Sequence, residues 1–325
     1  MKLTAWDERW PIAGAFTIAR GAKTEAHVIV AQLEHDGRIG RGEAVPYPRY
    51  GETVETALAE LAGLAGEVEA GLDRLALQTR LPAGAPRNAL DCAFWDLEAK
   101  LTGVPAYRRA GRQRLDPVKT CYTISLGDPL AMAEQARANA RRPMLKLKIG
   151  GAGDLDRVAA VRAAAPRSRL IVDANEALTF DELSHLAPEF ARLDVKLIEQ
   201  PLPAGKDQAL EGFSSAVPLC ADESLHTRAE LQTCAKRYQF VNIKLDKSGG
   251  LSEATALVDD ARRMGMGIMA GCMVATSLAM SPAIIIAQGA EVVDLDGPLL
   301  LARDREPGLR FDGSLIYPPE PAVWG

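Results

Sequence analysis

The sequence predicts an α/β barrel of repeated strand–helix units, preceded by a smaller α+β region. Three observations predict it. The first is Leu145-Lys146-Leu147-Lys148-Ile149. Side chains alternate along a strand, so 145, 147 and 149 share an apolar face and the two lysines share the other. Taken alone, a solvated edge strand could carry such a pair. The second is a series of apolar runs that each end in a charged group: Arg169 to Asp173, Val195 to Glu199, Pro218 to Asp222 and Phe240 to Lys244. The third is their spacing. From Lys148 through Asp173, Glu199 and Asp222 to Lys244 the intervals are 25, 26, 23 and 22 residues. A strand, a loop, a helix and a return loop need about that much chain. Helical patterns such as Asp154 to Ala165 and Ser252 to Met264 fill the gaps. Short apolar strands alternating with helices indicate a parallel sheet covered on both faces. Closed into a barrel, it gathers the carboxyl ends of its strands at one rim, where barrel active sites sit.

Residues 1 to about 115 depart from this repeat. Met1 to Ala5, His27 to Gln32 and Ile39 to Val45 read as a small antiparallel sheet, with Glu34-His-Asp36-Gly37-Arg38 as turn chemistry. Two Gly/Pro-bearing loops stand out: Gly14 to Thr24, carrying Arg20, and Tyr47-Pro-Arg-Tyr-Gly51. They are either surface turns or lids over a pocket. Helices follow at Thr53 to Glu69 and Arg87 to Thr102, the latter stopped by Gly103. The barrel occupies 116–307. Its first strand is Lys119 to Leu126, with Thr123 near the pocket end; its seventh is Gly265 to Met273 and its eighth Glu291 to Gly297. No charge occurs from Met264 to Ala290, a length that could span a bilayer. Glycines, serines, Pro282 and Gln288 break that run, so it parses as a buried strand followed by a buried helix. The Pro-rich tail 308–325 is expected to pack back on residues 1–115.

The composition narrows the function. With 325 residues, 47 % of them hydrophobic, the chain can bury a large core. A net charge of −5 gives no reason to expect nucleic acid or a membrane surface as partner. Five scattered cysteines without Cys-x-x-Cys suggest reduced thiols, and the N-terminus lacks the apolar core of a signal peptide, so a cytoplasmic protein is expected. None of the four histidines has zinc-type spacing, which leaves oxygen-held magnesium or manganese as the expected metal. Gly150-Gly151-Ala152-Gly153 lacks the Lys-Ser/Thr of a phosphate loop.

Asp173, Glu199 and Asp222 come from successive strand ends. Such acids could cap helices. Three close together would raise one another's pKa unless a cation sits among them, and one divalent ion resolves the conflict. Lysines on the second and sixth strands flank the acids. Lys148 and Lys244 would then face each other across the metal, one taking a proton from a carbon and the other returning it on the opposite face. This suits inversion next to a carboxylate, through an enediolate stabilised by magnesium. A lysine base must be tuned down from about 10.4, and Lys146 beside Lys148 is expected to push it toward about 7 to 8.

These motifs resemble the enolase superfamily, muconate-lactonising subgroup, and within it the dipeptide epimerases. The resemblance is carried by Lys146-Leu-Lys148, Asp173-Ala-Asn175, Glu199-Gln-Pro, Asp222-Glu223-Ser and Lys244-Leu-Asp-Lys-Ser-Gly-Gly250. Pro46 to Glu52 and Arg87 to Asp96 extend it nearly end to end. It implies a (β/α)7β modified TIM barrel with an α+β capping domain completed by the tail. It implies one Mg2+ per chain on Asp173, Glu199 and Asp222, with Asn175 and Glu223 behind them and Lys148 and Lys244 as bases. Thr123 and Lys146 match positions that contact substrate.

The substrate reading rests on Asp294-Leu-Asp296, which resembles the Asp-x-Asp of dipeptide epimerases and could meet a free α-ammonium; a strand-end turn is the alternative. Arg20 could clamp a glutamate side-chain carboxylate. Cys272, with no His nearby, speaks against the branch that uses a His base there. The expected activity is epimerisation of L-Ala-D-Glu and L-Ala-L-Glu from murein peptides. The alternatives are an N-acyl amino acid racemase, a cycloisomerase or o-succinylbenzoate synthase, and a non-catalytic barrel. Oligomeric state is left open.

Overall fold

Residues 1–44 form three antiparallel strands in a computed structural model that describes residues 1–325. They are β1 (Lys2–Ile18), β2 (Gly21–His35) and β3 (Arg38–Ala44), in the order β1-β2-β3. Asp36 and Gly37 both take positive φ, the geometry of a tight hairpin turn. The β1–β2 hairpin runs much further than the sequence suggested. Gly14 to Thr24 is not a free loop but its far end, with Phe16, Thr17 and Ile18 paired to Lys23, Ala22 and Gly21. Aromatic and β-branched residues supply the strand character that the flanking glycines concealed. The register shifts between Pro11 and Phe16, around Gly14 at φ 92°, and this re-aims the tip.

The expected helix over 53–69 divides into α1 (Val54–Gly63) and α2 (Ala65–Glu69), followed by α3 (Arg74–Arg80), α4 (Ala85–Thr102) and α5 (Ala106–Arg109). Nearly all of α4 is buried, because it packs between the sheet and the barrel. Gly40 and Gly42 allow this approach: a Cβ there would lie 2.3 and 2.1 Å from carbonyl oxygens of Ala93 and Ala89.

The expected first barrel strand is split. β4 (Val118–Lys119) joins the tail, and β5 (Tyr122–Ile124) opens the barrel. The chain changes sheets at Thr120, whose amide bonds Ser314 O, and Cys121, whose amide bonds Val293 O. Then follow α6 (Pro129–Ala138), β6 (Met144–Lys148), α7 (Asp154–Ala164), β7 (Arg169–Asp173), α8 (Phe180–Arg192), β8 (Val195–Glu199) and β9 (Leu219–Ala221). No α-helix lies between β8 and β9; Pro203, Gly205, Gly212 and Pro218 leave one 3-10 turn, Gln208–Leu210. The rest is α9 (Arg228–Cys234), β10 (Phe240–Lys244), α10 (Leu245–Ser248), α11 (Leu251–Arg263), β11 (Gly267–Gly271), α12 (Ser277–Ala287), β12 (Val292–Asp294) and α13 (Gly297–Leu300).

Strands β5 to β12 pair in parallel in chain order, and Cys121 on Val293 closes the ring. The uncharged stretch is β11 and the fully buried α12, and no helix is long and apolar enough to cross a membrane. In the tail, β13 (Phe311–Asp312) and β14 (Leu315–Ile316) pair back toward β4. Trp324 is buried and donates its indole N–H to Cys92 O on α4.

Candidate active site

Alternation along the barrel strands builds the site in two layers. Cys121, Met144, Ile171, Leu197, Cys220, Met269 and Val292 form one apolar cluster inside the barrel. Two residues further along each strand stand Thr123, Lys146, Asp173, Glu199, Asp222, Gly271 and Asp294. The apolar layer floors the polar one, so the charges above it meet only each other and the cavity mouth. Gly271 is glycine because Asn242 needs the room: a Cβ there would lie 2.3 Å from Asn242 Oδ1.

The polar layer is a lattice of ion pairs. Lys148 Nζ is 2.6 Å from Asp173, and Lys244 Nζ is 2.6 Å from Asp222. Lys146 reaches three acids, Glu199 and Asp294 at 2.7 Å and Asp173 at 3.1 Å. Asn242 donates to Glu199 Oε1 at 2.7 Å. Lys247, 1 % exposed, donates to the backbone of Asp222 and Asn242 and lies 2.6 Å from Asp222 Oδ1. With β6 second and β10 sixth among eight strands, Lys148 and Lys244 stand on opposite walls, with the acids of β7 and β8 and Asp222, next after β9, between them.

Burial and charge set the titration. Burial pushes Asp173 and Asp222 up, but the adjacent lysines outweigh it and hold both below the usual carboxylate range. Burial and the Asp173 charge push Glu199 up to about 8. Burial and Asp294 push Asp296 up to about 7. Burial would lower Lys244 and Lys146, yet the facing carboxylates hold both above their ordinary value. Each of these two lysines faces more carboxylate than ammonium.

The three acids fit a hard divalent cation. All are carboxylate donors at most 1 % exposed. Glu199 Oε2, Asp222 Oδ1 and Asn242 Oδ1 are buried without a hydrogen-bond donor, the first two having only a lysine charge nearby. Such orphaned oxygens are what an oxygen-loving ion satisfies. The three carboxylates do not converge on one point here, because lysine ammonium groups stand between them.

Above the lattice is a cavity of about 720 Å3, within the size range of small-ligand sites. Lys146, Lys148, Lys244, Thr123, Asp294 and Asp296 line it, while Asp173 and Glu199 lie beneath. Asp296 accepts the Thr123 amide at 2.6 Å. The hairpin tip closes one side. Arg20 donates to Asn175 O at 2.7 Å, Glu223 at 2.8 Å and Glu176 at 3.0 Å, so its guanidinium is engaged with protein acids. Asn175 in turn donates to Glu223 at 3.3 Å. Arg49 pairs with Glu176, and Tyr50 packs edge-on against His226 at 4.5 Å, bringing the 47–51 loop over the mouth as well. Residues of both segments, among them Arg20, Lys23, Tyr47 and Tyr50, line the cavity. Sequence reasoning missed Lys247, Asn242 and Glu176. Period-two alternation from Lys244 would have found Asn242; nothing local marks Lys247 or Glu176.

Comparison with known proteins agrees with this geometry. Residues 1–109 match the mandelate racemase/muconate lactonizing enzyme N-terminal domain, and 131–321 match the enolase C-terminal domain-like model. An L-Ala-D/L-Glu epimerase of Escherichia coli is 45 % identical, over 94 % of this chain and 96 % of its own. An N-acetyl-D-glutamate racemase of a Pseudoalteromonas species is 42 % identical, over 92 % and 94 %. A crystal structure of an Agrobacterium tumefaciens enolase family member, described as homologous to dipeptide epimerases and holding sodium and L-Ala-L-Glu, is 50 % identical with a TM-score of 0.98, covering 100 % and 99 %. Other solved dipeptide epimerases carry magnesium with a dipeptide. The chain belongs to the mandelate racemase/muconate lactonizing enzyme family of the enolase superfamily.

Proposed function

We propose that the protein is a magnesium-dependent dipeptide epimerase that inverts the α-carbon of the C-terminal residue, with L-Ala-D-Glu and L-Ala-L-Glu as substrates. The observation that carries this reading is the pair Lys148 and Lys244, on opposite walls of the barrel with the acids between them. A carbon held between two such lysines, one as the neutral amine and the other as the ammonium, loses its proton to the first and receives one from the second on the opposite face. Asp173, Glu199 and Asp222 would hold the ion. Bound there, magnesium supplies positive charge that stabilises the negative charge developing on the substrate carboxylate. Lys146 adds a third cation beside those acids, and Asp294 and Asp296 offer negative charge to a substrate ammonium. The lids exclude water from the proton-transfer site. The substrate class follows the relatives, as does the setting, breakdown of murein peptides. Five free cysteines, four of them buried, support a reducing, cytoplasmic location.

A second reading is racemisation of N-acyl amino acids by the same two lysines. It is favoured by one observation: Asp294 is already paired with Lys146, and Asp296, pushed up to about 7, is a poor fixed anion for an ammonium. The test is α-deuterium incorporation in D2O with magnesium, comparing L-Ala-L-Glu with N-acetyl-L-Glu. Preference for the dipeptide is expected. Preference for the acetylated amino acid would replace the substrate reading and leave the two-base reaction intact.

A further inference from the structure

The motif Lys244-Leu-Asp246-Lys-Ser-Gly-Gly250 holds a buried acid that the chemistry above does not use. Asp246 is 7 % exposed and its carboxylate is bonded to the N-terminal region. Its Oδ1 accepts the amide of Val45 at 2.8 Å and the Asn88 side chain at 3.2 Å. Val45 is the residue at which the chain leaves β3 for the lid loop 46–52. Two residues before Asp246 is Lys244, the end of β10. One carboxylate therefore holds the root of a lid and the turn that carries a base.

The turn is held to α4 along its whole length. Arg87 donates to Ser248 O at 2.6 Å and Gly249 O at 3.1 Å. Asp91 accepts the Ser252 amide at 3.0 Å and its hydroxyl at 2.6 Å. Arg87, Asn88 and Asp91 lie on one face of α4, since residues three and four apart are neighbours there. Gly249 and Gly250 have positive φ, and a Cβ on either would come within 2.6 Å of Arg87 or Asp91. The turn after Lys244 is thus seated on α4, whereas the 150–153 turn after Lys148 is held differently: Asp154 accepts the amides of Gly150 and Gly151, Arg157 donates to Ala152 O, and Gly150 packs on Ala19 of the hairpin tip.

Resting on the epimerase reading, we infer that Asp246 is a positioning residue that fixes Lys244 and the 46–52 lid in one register, and that it serves the Lys244 face of the substrate and not the Lys148 face. A base misplaced by about an ångström loses on the order of 100-fold in rate. Loss of Asp246 therefore makes proton exchange one-sided.

The experiment measures α-proton exchange in D2O from each epimer of L-Ala-Glu separately, with magnesium, in the full-length enzyme. Lys148→Ala and Lys244→Ala assign which epimer reports on which lysine. In Asp246→Ala, exchange from the Lys244-dependent epimer is expected to fall about 10- to 100-fold, with the other epimer changed less than about 2-fold. Asp246→Asn keeps the acceptor oxygen and is expected to restore both. Amide hydrogen exchange across 45–52 should quicken in Asp246→Ala and not in Asp246→Asn. Asn88→Ala, a milder lesion, should show the same one-sided loss, smaller in size. Equal losses on both epimers, or no loss in either variant, would overturn the inference. A wild-type enzyme that exchanges neither epimer would instead overturn the epimerase reading and the inference with it.

Discussion

Lys146 donates to Asp294 at 2.7 Å, across β5, and the same ammonium lies 2.7 Å from Glu199. The acid expected to read a substrate ammonium is therefore wired to a metal-site carboxylate through one buried lysine. Asp296 has no such tie: it accepts a backbone amide from Thr123. The two strand-end acids are not equivalent, and their variants should differ.

Asp294→Asn is expected to lower kcat/KM for both L-Ala-L-Glu and N-acetyl-L-Glu, because Lys146 loses a partner whichever substrate is bound. Asp296→Asn should lower it for the dipeptide alone. A buried ammonium left without its acid loses about 2 to 5 kcal/mol, several orders of magnitude in rate at the upper end. Acetylating the substrate and changing Asp296 should together cost less than their sum, since one contact is removed twice. Measuring kcat/KM for both substrates in both variants checks this; identical profiles for the two variants would contradict it.

Metal removal should be equally plain. Dialysis against EDTA is expected to abolish turnover and added magnesium to restore it. Because the ion binds only the folded site, magnesium at about 100 times its dissociation constant should add about 2.7 kcal/mol of stability. Calorimetry with and without magnesium reads this directly, and Asp222→Asn should shrink the gain. Full activity in metal-free enzyme would count against the site.

For the bases, Lys148→Ala and Lys244→Ala should each stop epimerisation. Each variant should still exchange the α-proton of one epimer, a different one in each, through the surviving amine. Mass spectrometry in D2O distinguishes these cases. Wild-type epimerisation by Lys244→Ala would rule out the two-base assignment.

Much of this site was legible because it repeats. Period-two alternation at Lys146 and Lys148 and the regular intervals to Lys244 put those three lysines and Asp173, Glu199 and Asp222 on one rim. What was not legible arises from contacts distant in sequence. Arg20 reads as a partner for a substrate carboxylate; that it also pairs with Glu176 and Glu223 could not be read, because they lie more than 150 residues away. The Gly14 to Thr24 hairpin read as loop because its glycines outweighed Phe16, Thr17 and Ile18, which pair only once the other strand is present.

Asp246 allows a test of stability against pH. Burial pushes its carboxyl from 3.8 up to about 7, because the Val45 and Asn88 hydrogen bonds offset only part of the desolvation. The folded state thus binds this proton more tightly than the unfolded state. Between about pH 4 and 7 the folded protein holds more protons, so this group's contribution to stability falls as pH rises, and the loss is complete above about 7. Each unit of pKa difference corresponds to about 1.4 kcal/mol, which puts the penalty at pH 8 on the order of a few kcal/mol. Asp246→Asn removes the titration and keeps an acceptor for the Val45 amide. Its Tm should match the wild type near pH 4 and exceed it by several degrees at pH 8. Thermal unfolding at a series of pH values decides: a difference that does not grow with pH would mean that Asp246 is charged in the fold at little cost.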